Sequence, residues 1–239
     1  MTLKLTETLI QRQINNWNRF REFLQEEEAV GPSRPGPVVT ISRLAGSGGR
    51  TLATALAERL DLSLQDHSIV ERIARDRNIE TSVVDQLDEH AINQAELWIK
   101  GIFNKRIFLK DEYHKALVSV VTRLAAGGNV VFLGRGAHLI LEQRASLRVR
   151  VVASQATRLA RIMARTGLSR AEARALLLET DANREDFIRK VFKVDPMDPG
   201  AFDLVLNADR IKPECMVEIV GLALLGLHTG GRARMSSQA

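Results

Sequence analysis

The fourteen residues Val38-Val39-Thr40-Ile41-Ser42-Arg43-Leu44-Ala45-Gly46-Ser47-Gly48-Gly49-Arg50-Thr51 set a β-branched run, a glycine-rich turn and a hydroxyl residue in immediate succession. Gly46, Gly48 and Gly49 can take positive φ, so successive amides can turn inward as a concave anion site with Ser47 between them. A helix expected from Arg50 onward would add its unpaired N–H groups and its dipole. Those groups suit the phosphates of a nucleotide. The usual phosphate-loop pattern reads G-x-x-x-x-G-K-[ST], its hydroxyl facing Mg²⁺. With Gly49 as the second glycine, Arg50 replaces the lysine, Thr51 is the hydroxyl residue and Leu44 stands at the first glycine. With Gly48 in that role, Gly49 replaces the lysine and Arg43 the first glycine. In either register an arginine must do the lysine's electrostatic work, and the two side chains are not equivalent. The bland alternative is a βα turn that binds nothing.

Other residues could serve the same chemistry. Asp66 closes a weak strand at 62–65, where a carboxylate could hold Mg²⁺ through water or orient an acceptor phosphate. It could equally cap the helix expected from His67. Gly134-Arg135-Gly136 follows the apolar run Asn129–Leu133, and a guanidinium there could grip a monophosphate with two parallel hydrogen bonds. A surface ion pair is the competing reading. Arg158, Arg161 and Arg165 recur at i, i+3 and i+7, on one helix face, in a segment 154–166 that contains no acid. Such a row is commonly a solvated face, but without local acids it suits charge clamping during phosphoryl transfer. Arg184 has Glu185 and Asp186 beside it, so a local ion pair competes with a site role.

The segments TISRLAGSGGRTLATALAERL (40–60), LDLSLQDHSIV (60–70), VVFLGRGAHLIL (130–141) and AFDLVLNADRI (201–211) resemble the cytidylate kinase-like family. That family is a branch of the P-loop nucleoside monophosphate kinases, and ISR…GSGGR in place of the lysine-bearing loop is one of its traits. The resemblance covers about residues 37–225. It implies transfer of the ATP γ-phosphoryl group, with Mg²⁺, to a nucleoside monophosphate of the CMP or dCMP kind. It further implies that Gly46 to Thr51 hold the donor phosphates, that Arg43, Asp66 and Arg135 serve the acceptor, and that Thr51 and Asp66 serve the metal. Arg50, Asp66, Arg158, Arg161 and Arg184 are then the catalytic set, with Asp181 and Arg184 in the second half of a mobile lid. Cytidylate kinases carry Gly-Arg-Asp where this chain has Gly134-Arg135-Gly136, the aspartate helping to read the base, and His138 stands where relatives often have an acid. Cytosine recognition is therefore in question.

The elements that must position these residues alternate along the chain. Strands at 38–42, 62–65, 129–133, 147–152 and 202–206 are separated by helical sequence at 50–60, 67–126, 154–193 and 214–227. Such alternation calls for a parallel sheet of about five strands with helices on both faces, and ligands then sit beyond the carboxyl ends of the strands. Residues 5–29 read as an amphipathic helix, and GPSRPGP at 31–37 holds three of the six prolines, so residues 1–36 form an appendage and linker. The domain proper spans 37–228, with a polar, flexible tail at 229–239. The first helix could pack on a partner, a second copy included.

Composition narrows the function classes. The net charge is +5, yet residues 123–193 carry 14 Arg and Lys against 6 Asp and Glu, an excess larger than that of the whole chain. The remainder is slightly acidic, which favours a local anion site over a uniformly basic surface. One cysteine rules out an internal disulfide and any multi-cysteine zinc site. Cys215, in an apolar helix, is expected to be buried and inert. The five histidines show no metal-ligand spacing, and Trp98, Phe103, Phe108 and Tyr113 read as core rather than as a stacking platform. No apolar run is long enough to span a bilayer, and the N-terminus lacks a signal-peptide core, so a cytoplasmic protein is expected. Besides the kinase, two readings stand: a nucleotide-binding regulatory or assembly module without catalysis, and a nucleic-acid binder. The last lacks interleaved aromatics and any known motif.

Overall fold

The computed structural model describes residues 36–66 and 112–235. The N-terminal helix, most of the linker, the stretch 67–111 with Trp98, Phe103 and Phe108, and the last four residues lie outside the described residues. Five strands, β1 (Val38–Arg43), β2 (Ser63–Asp66), β3 (Val130–Leu133), β4 (Leu147–Val152) and β5 (Leu204–Asn207), form one sheet in the order β2-β3-β1-β4-β5. Every pairing is parallel. The helices are α1 (Gly49–Arg59), α2 (Glu112–Ala126), α3 (Ala137–Leu141), α4 (Gln155–Thr166), α5 (Arg170–Phe192) and α6 (Pro213–Met235). The expected strand at 202–206 lies two residues later at its start, and α6 runs past its expected end at 227.

Strand periodicity explains the two-sided core. Successive side chains point to opposite faces, and a doubly covered strand is apolar at every position. Val39, Ile41, Val131, Leu133, Val149 and Val151 pack with Leu52 and Leu56 of α1 and Met216, Val217 and Val220 of α6 on one face. Val38, Val130 and Phe132 pack with α2, α3, Val191 and Phe192 on the other. The helical stretch 154–193 is two helices, broken where Gly167 takes φ +71° after α4 and the Ser169–Glu172 capping box starts α5. They turn back on each other, with Leu159, Ile162, Ala173 and Leu177 between them.

Register fixes where the chemistry can be. Asp66 is level with Leu133, Leu133 with Ile41, and Arg43 with Val151. The carboxyl ends of β1, β2 and β3 therefore lie at one edge of the sheet, with β1 central. The expectation for Cys215 was wrong: it is exposed, because its neighbours Met216 and Val217 take the buried stripe of α6 and Cys215 falls just outside it. No helix among the described residues is long and apolar enough to cross a membrane.

Leu52 is fully buried between the sheet and α6. Leu52→Ala should lower the unfolding free energy by about 2–5 kcal/mol, read as a lower urea midpoint at unchanged m-value.

Candidate active site

The turn after β1 is a loop whose peptides are individually held. Ser47 donates its hydroxyl to Leu44 O at 2.9 Å and its N–H to the same oxygen at 3.3 Å. Its side chain is fully buried, so Ser47 shapes the loop from within instead of presenting its hydroxyl to a ligand. Gly46 and Gly48 adopt φ of +72° and +93°, and Gly48 stands at the N-cap of α1 with no side-chain partner for the helix amides. Gly49, Arg50 and Thr51 open α1, and Thr51 is exposed on its first turn. A cavity of about 800 Å³ runs along this loop and α1, lined by Arg43, the loop glycines, Arg50, Thr51, Glu58 and the α4 and α5 arginines 161, 165 and 184.

A second cavity, about 300 Å³, adjoins it beyond the turn after β3. Ser42, Arg43, Arg135 and His138 line one side, and Thr180, Asn183, Arg184 and Phe187 of α5 the other. The α5 residues recur at i, i+3, i+4 and i+7, a helix stripe visible in the sequence but not singled out there. The described residues lining this cavity include no acid. Gly134, Arg135 and Gly136 take φ of +87°, +56° and +68°, a backbone shape that costs a non-glycine residue energy. It carries the Arg135 guanidinium over the Phe187 ring, 5.3 Å from its centroid. At Gly136 a β-carbon would lie 2.4 Å from Phe192 Cε2. The ring of Phe192 thus fills the space an aspartate would need there.

Arg43 and Arg184 line both cavities. The Arg43 side chain is threaded between two glycines: a β-carbon would meet its Nη1 at 1.9 Å from Gly134, and its Cβ at 2.5 Å from Gly49. Burial, and then the guanidiniums of Arg184, Arg50 and Arg135, lower the Arg43 pKa from 12.5 to about 9, against the opposing pull of Asp66. It is still a cation at neutral pH. Burial also lowers Arg135 and Arg184 from their usual values. Positive charge is therefore held here against a desolvation cost that a bound anion would offset. Arg50 reaches Asp66 at 2.9 Å, a pair half exposed on the arginine side.

The structure separates the arginine row of α4. Arg165 lines the large cavity. Arg161 lines it too, but donates to Ser47 O and Ala208 O, each at 2.9 Å. Arg158 lies outside the lining of both cavities and pairs with Asp181 of α5. The acid missing from 154–166 is supplied by the next helix. Arg184 makes no ion pair with Glu185 or Asp186 among those described; it donates to Arg43 O at 3.2 Å. Arg189 and Lys190 take those acids instead.

Mg²⁺ keeps several waters and is held by one or two protein oxygens plus substrate phosphates. No cluster of three or more His, Cys, Asp or Glu exists among the described residues, and the oxygen donors near the start of α1 include the Thr51 hydroxyl and the Asp66 carboxylate. That sparse oxygen set fits Mg²⁺ bound with a nucleotide and not an all-protein metal cage.

Residues 38–210 match the sequence profile of the cytidylate kinase-like family, well over half of the chain. The chain belongs to the cytidylate kinase-like family. It is 27% identical over 197 residues to the cytidylate kinase of Pyrococcus horikoshii, covering 82% of this chain and 92% of that one. To the cytidylate kinase of Ignicoccus hospitalis it is 28% identical over 189 residues, 79% of this chain and 99% of that relative. An uncharacterized protein of Eubacterium ventriosum has a similar solved structure, with a TM-score of 0.61 at 19% identity over 79% of this chain and 97% of that one. The two share the fold, here a five-stranded parallel α/β sheet covered by helices.

His138, at the start of α3, stacks on Phe202 with centroids 4.7 Å apart. Burial, then the charges of Arg150 and Arg148, push its pKa from 6.5 down to about 4. The unfolded chain thus binds a proton that the folded one refuses between these values, so stability is lost as pH falls from 6.5 towards 4. The full loss is about 3 kcal/mol. His138→Phe should flatten this part of the urea-midpoint-versus-pH curve relative to the parent; equal slopes would contradict the assignment.

Proposed function

We propose that the protein is an ATP-dependent nucleoside monophosphate kinase, acting on CMP or dCMP or a close relative. The observation that carries this reading is the shared wall: Arg43 and Arg184 line both the cavity along the phosphate loop and the cavity beside Arg135, whose described lining has no acid. A donor nucleotide in the first and a monophosphate in the second would bring their reacting phosphates together at those two guanidiniums. The names of the cytidylate kinases to which the chain is similar support the substrate class.

Phosphoryl transfer leaves little covalent work to the protein; it requires alignment and stabilisation of charge. The amides of the loop and the first turn of α1 take the donor phosphates, with Arg50 in place of the lysine. Leaving Asp66 would let Arg50 reach those phosphates and free the carboxylate. Mg²⁺ on the donor phosphates would be held by Thr51 and, through water, Asp66, and supplies further neutralisation of their charge. Arg135 holds the acceptor phosphate, kept in place by Phe187. Arg43 and Arg184, already partly buried, meet the transferred group with less further desolvation than exposed side chains would. With Phe192 against Gly136, a base must be read by other groups, and Ser42, Thr180, Asn183 and neutral His138 are the uncharged polar candidates in the described wall.

A coupled assay with ATP, Mg²⁺ and each nucleoside monophosphate should show turnover with a cytidine nucleotide; no turnover with any of them sinks the proposal. Arg50→Ala should lower kcat by about 100-fold or more with unchanged thermal unfolding. In contrast, Arg135→Ala should raise the acceptor KM by at least about tenfold while leaving the ATP KM near its parent value.

A further inference from the structure

The α4–α5 hairpin grips the phosphate loop by the loop's own backbone. Asp181 accepts the Ala45 N–H at 2.7 Å on Oδ1, and its Oδ2 pairs with Arg158 Nη1. That same Nη1 donates to Ala45 O at 3.3 Å. The two side chains are only 11% and 13% exposed. One turn further along α4, Arg161 holds Ser47 O. Ala45 itself is buried in the apolar seam of the hairpin, with Leu159, Ile162, Ala173 and Leu177. At Gly46 a β-carbon would lie 2.6 Å from Arg158 O, so the loop and α4 meet with no room between them.

The C=O and N–H of one peptide unit point in opposite directions. Arginines that hold the carbonyls of Ala45 and Ser47 on the hairpin side therefore aim the N–H groups of Gly46 and Gly48 towards the cavity side. A carboxylate this close to an anion site would oppose the anion unless its charge is matched, and Arg158 matches that of Asp181.

We propose that Asp181 is a positioning residue for the donor nucleotide. Through Ala45 and Arg158 it holds the loop backbone in its phosphate-accepting shape, so that the α4–α5 hairpin braces the loop. The inference rests on the reading of this loop as the donor-phosphate site. Arg158 then acts through the loop instead of touching the transferred phosphate.

The test is the ATP Kd of the full chain, by titration calorimetry with Mg²⁺, beside steady-state KM values for both substrates. Asp181→Ala should weaken ATP binding by about tenfold or more, with the acceptor KM within about twofold of the parent. Asp181→Glu, which keeps the charge, should recover part of the loss. Arg158→Met alone leaves the carboxylate unmatched, so it should weaken ATP binding more than the Arg158→Met/Asp181→Ala double variant does. Thermal unfolding of each variant, with Kd normalised to the folded fraction, separates positioning from mere destabilisation. A folded Asp181→Ala protein with the parent's ATP Kd overturns the inference, as does a loss confined to the acceptor. A parent protein that binds no ATP overturns the reading of the loop itself, a different result.

Discussion

Four guanidiniums, of Arg43, Arg50, Arg135 and Arg184, act on one another at the carboxyl edge of the sheet, with Asp66 the acid that opposes them at Arg43. Like charges brought together and stripped of water repel, and the repulsion would open the site were each cation not held by something else. Arg43 is wedged between Gly49 and Gly134, Arg135 lies over Phe187, and Arg184 donates to the Arg43 carbonyl. The fold concentrates positive potential where two sheet turns and a helix hairpin meet, and tight packing keeps it there.

The hairpin's contribution follows from this constraint. A loop that presents amides to phosphates has no strong internal preference for that shape, since its carbonyls must go somewhere else. Arg158 and Arg161 receive them, and Asp181 both neutralises Arg158 and takes an amide that would otherwise compete. Arginines with the same spacing on the same helix face thus do different work. One is spent on backbone and acid, one on two carbonyls, and Arg165 faces the cavity.

The turn after β3 is closely packed by its surroundings. Three consecutive positive φ values carry Arg135 into the smaller cavity, and Phe192 packs where a side chain at Gly136 would stand. His138 below it is kept neutral by burial and by Arg150 and Arg148. The described wall of this cavity carries guanidiniums, an amide, two hydroxyls and an uncharged imidazole, without any carboxylate.

Much of the molecule was legible in one dimension. The alternation of β-branched runs with amphipathic stretches specifies a parallel sheet, because its period is local. The glycines of the loop announce positive φ for the same reason, and the loop's motif carries the family. The break at Gly167 and the exposure of Cys215 escaped that reading, since a helical period says neither where a cap wins nor on which side of a stripe a borderline residue falls. Neither could sequence spacing show that Asp181 answers Arg158 from 23 residues away, or that Gly134 is a glycine to make room for Arg43. Sequence by itself determined the elements, the glycine-rich loop and the excess of cations. Only the tertiary structure decided which cations face the cavities and which brace the loop, because charge compensation and close packing depend on distances in space that the order of residues does not contain.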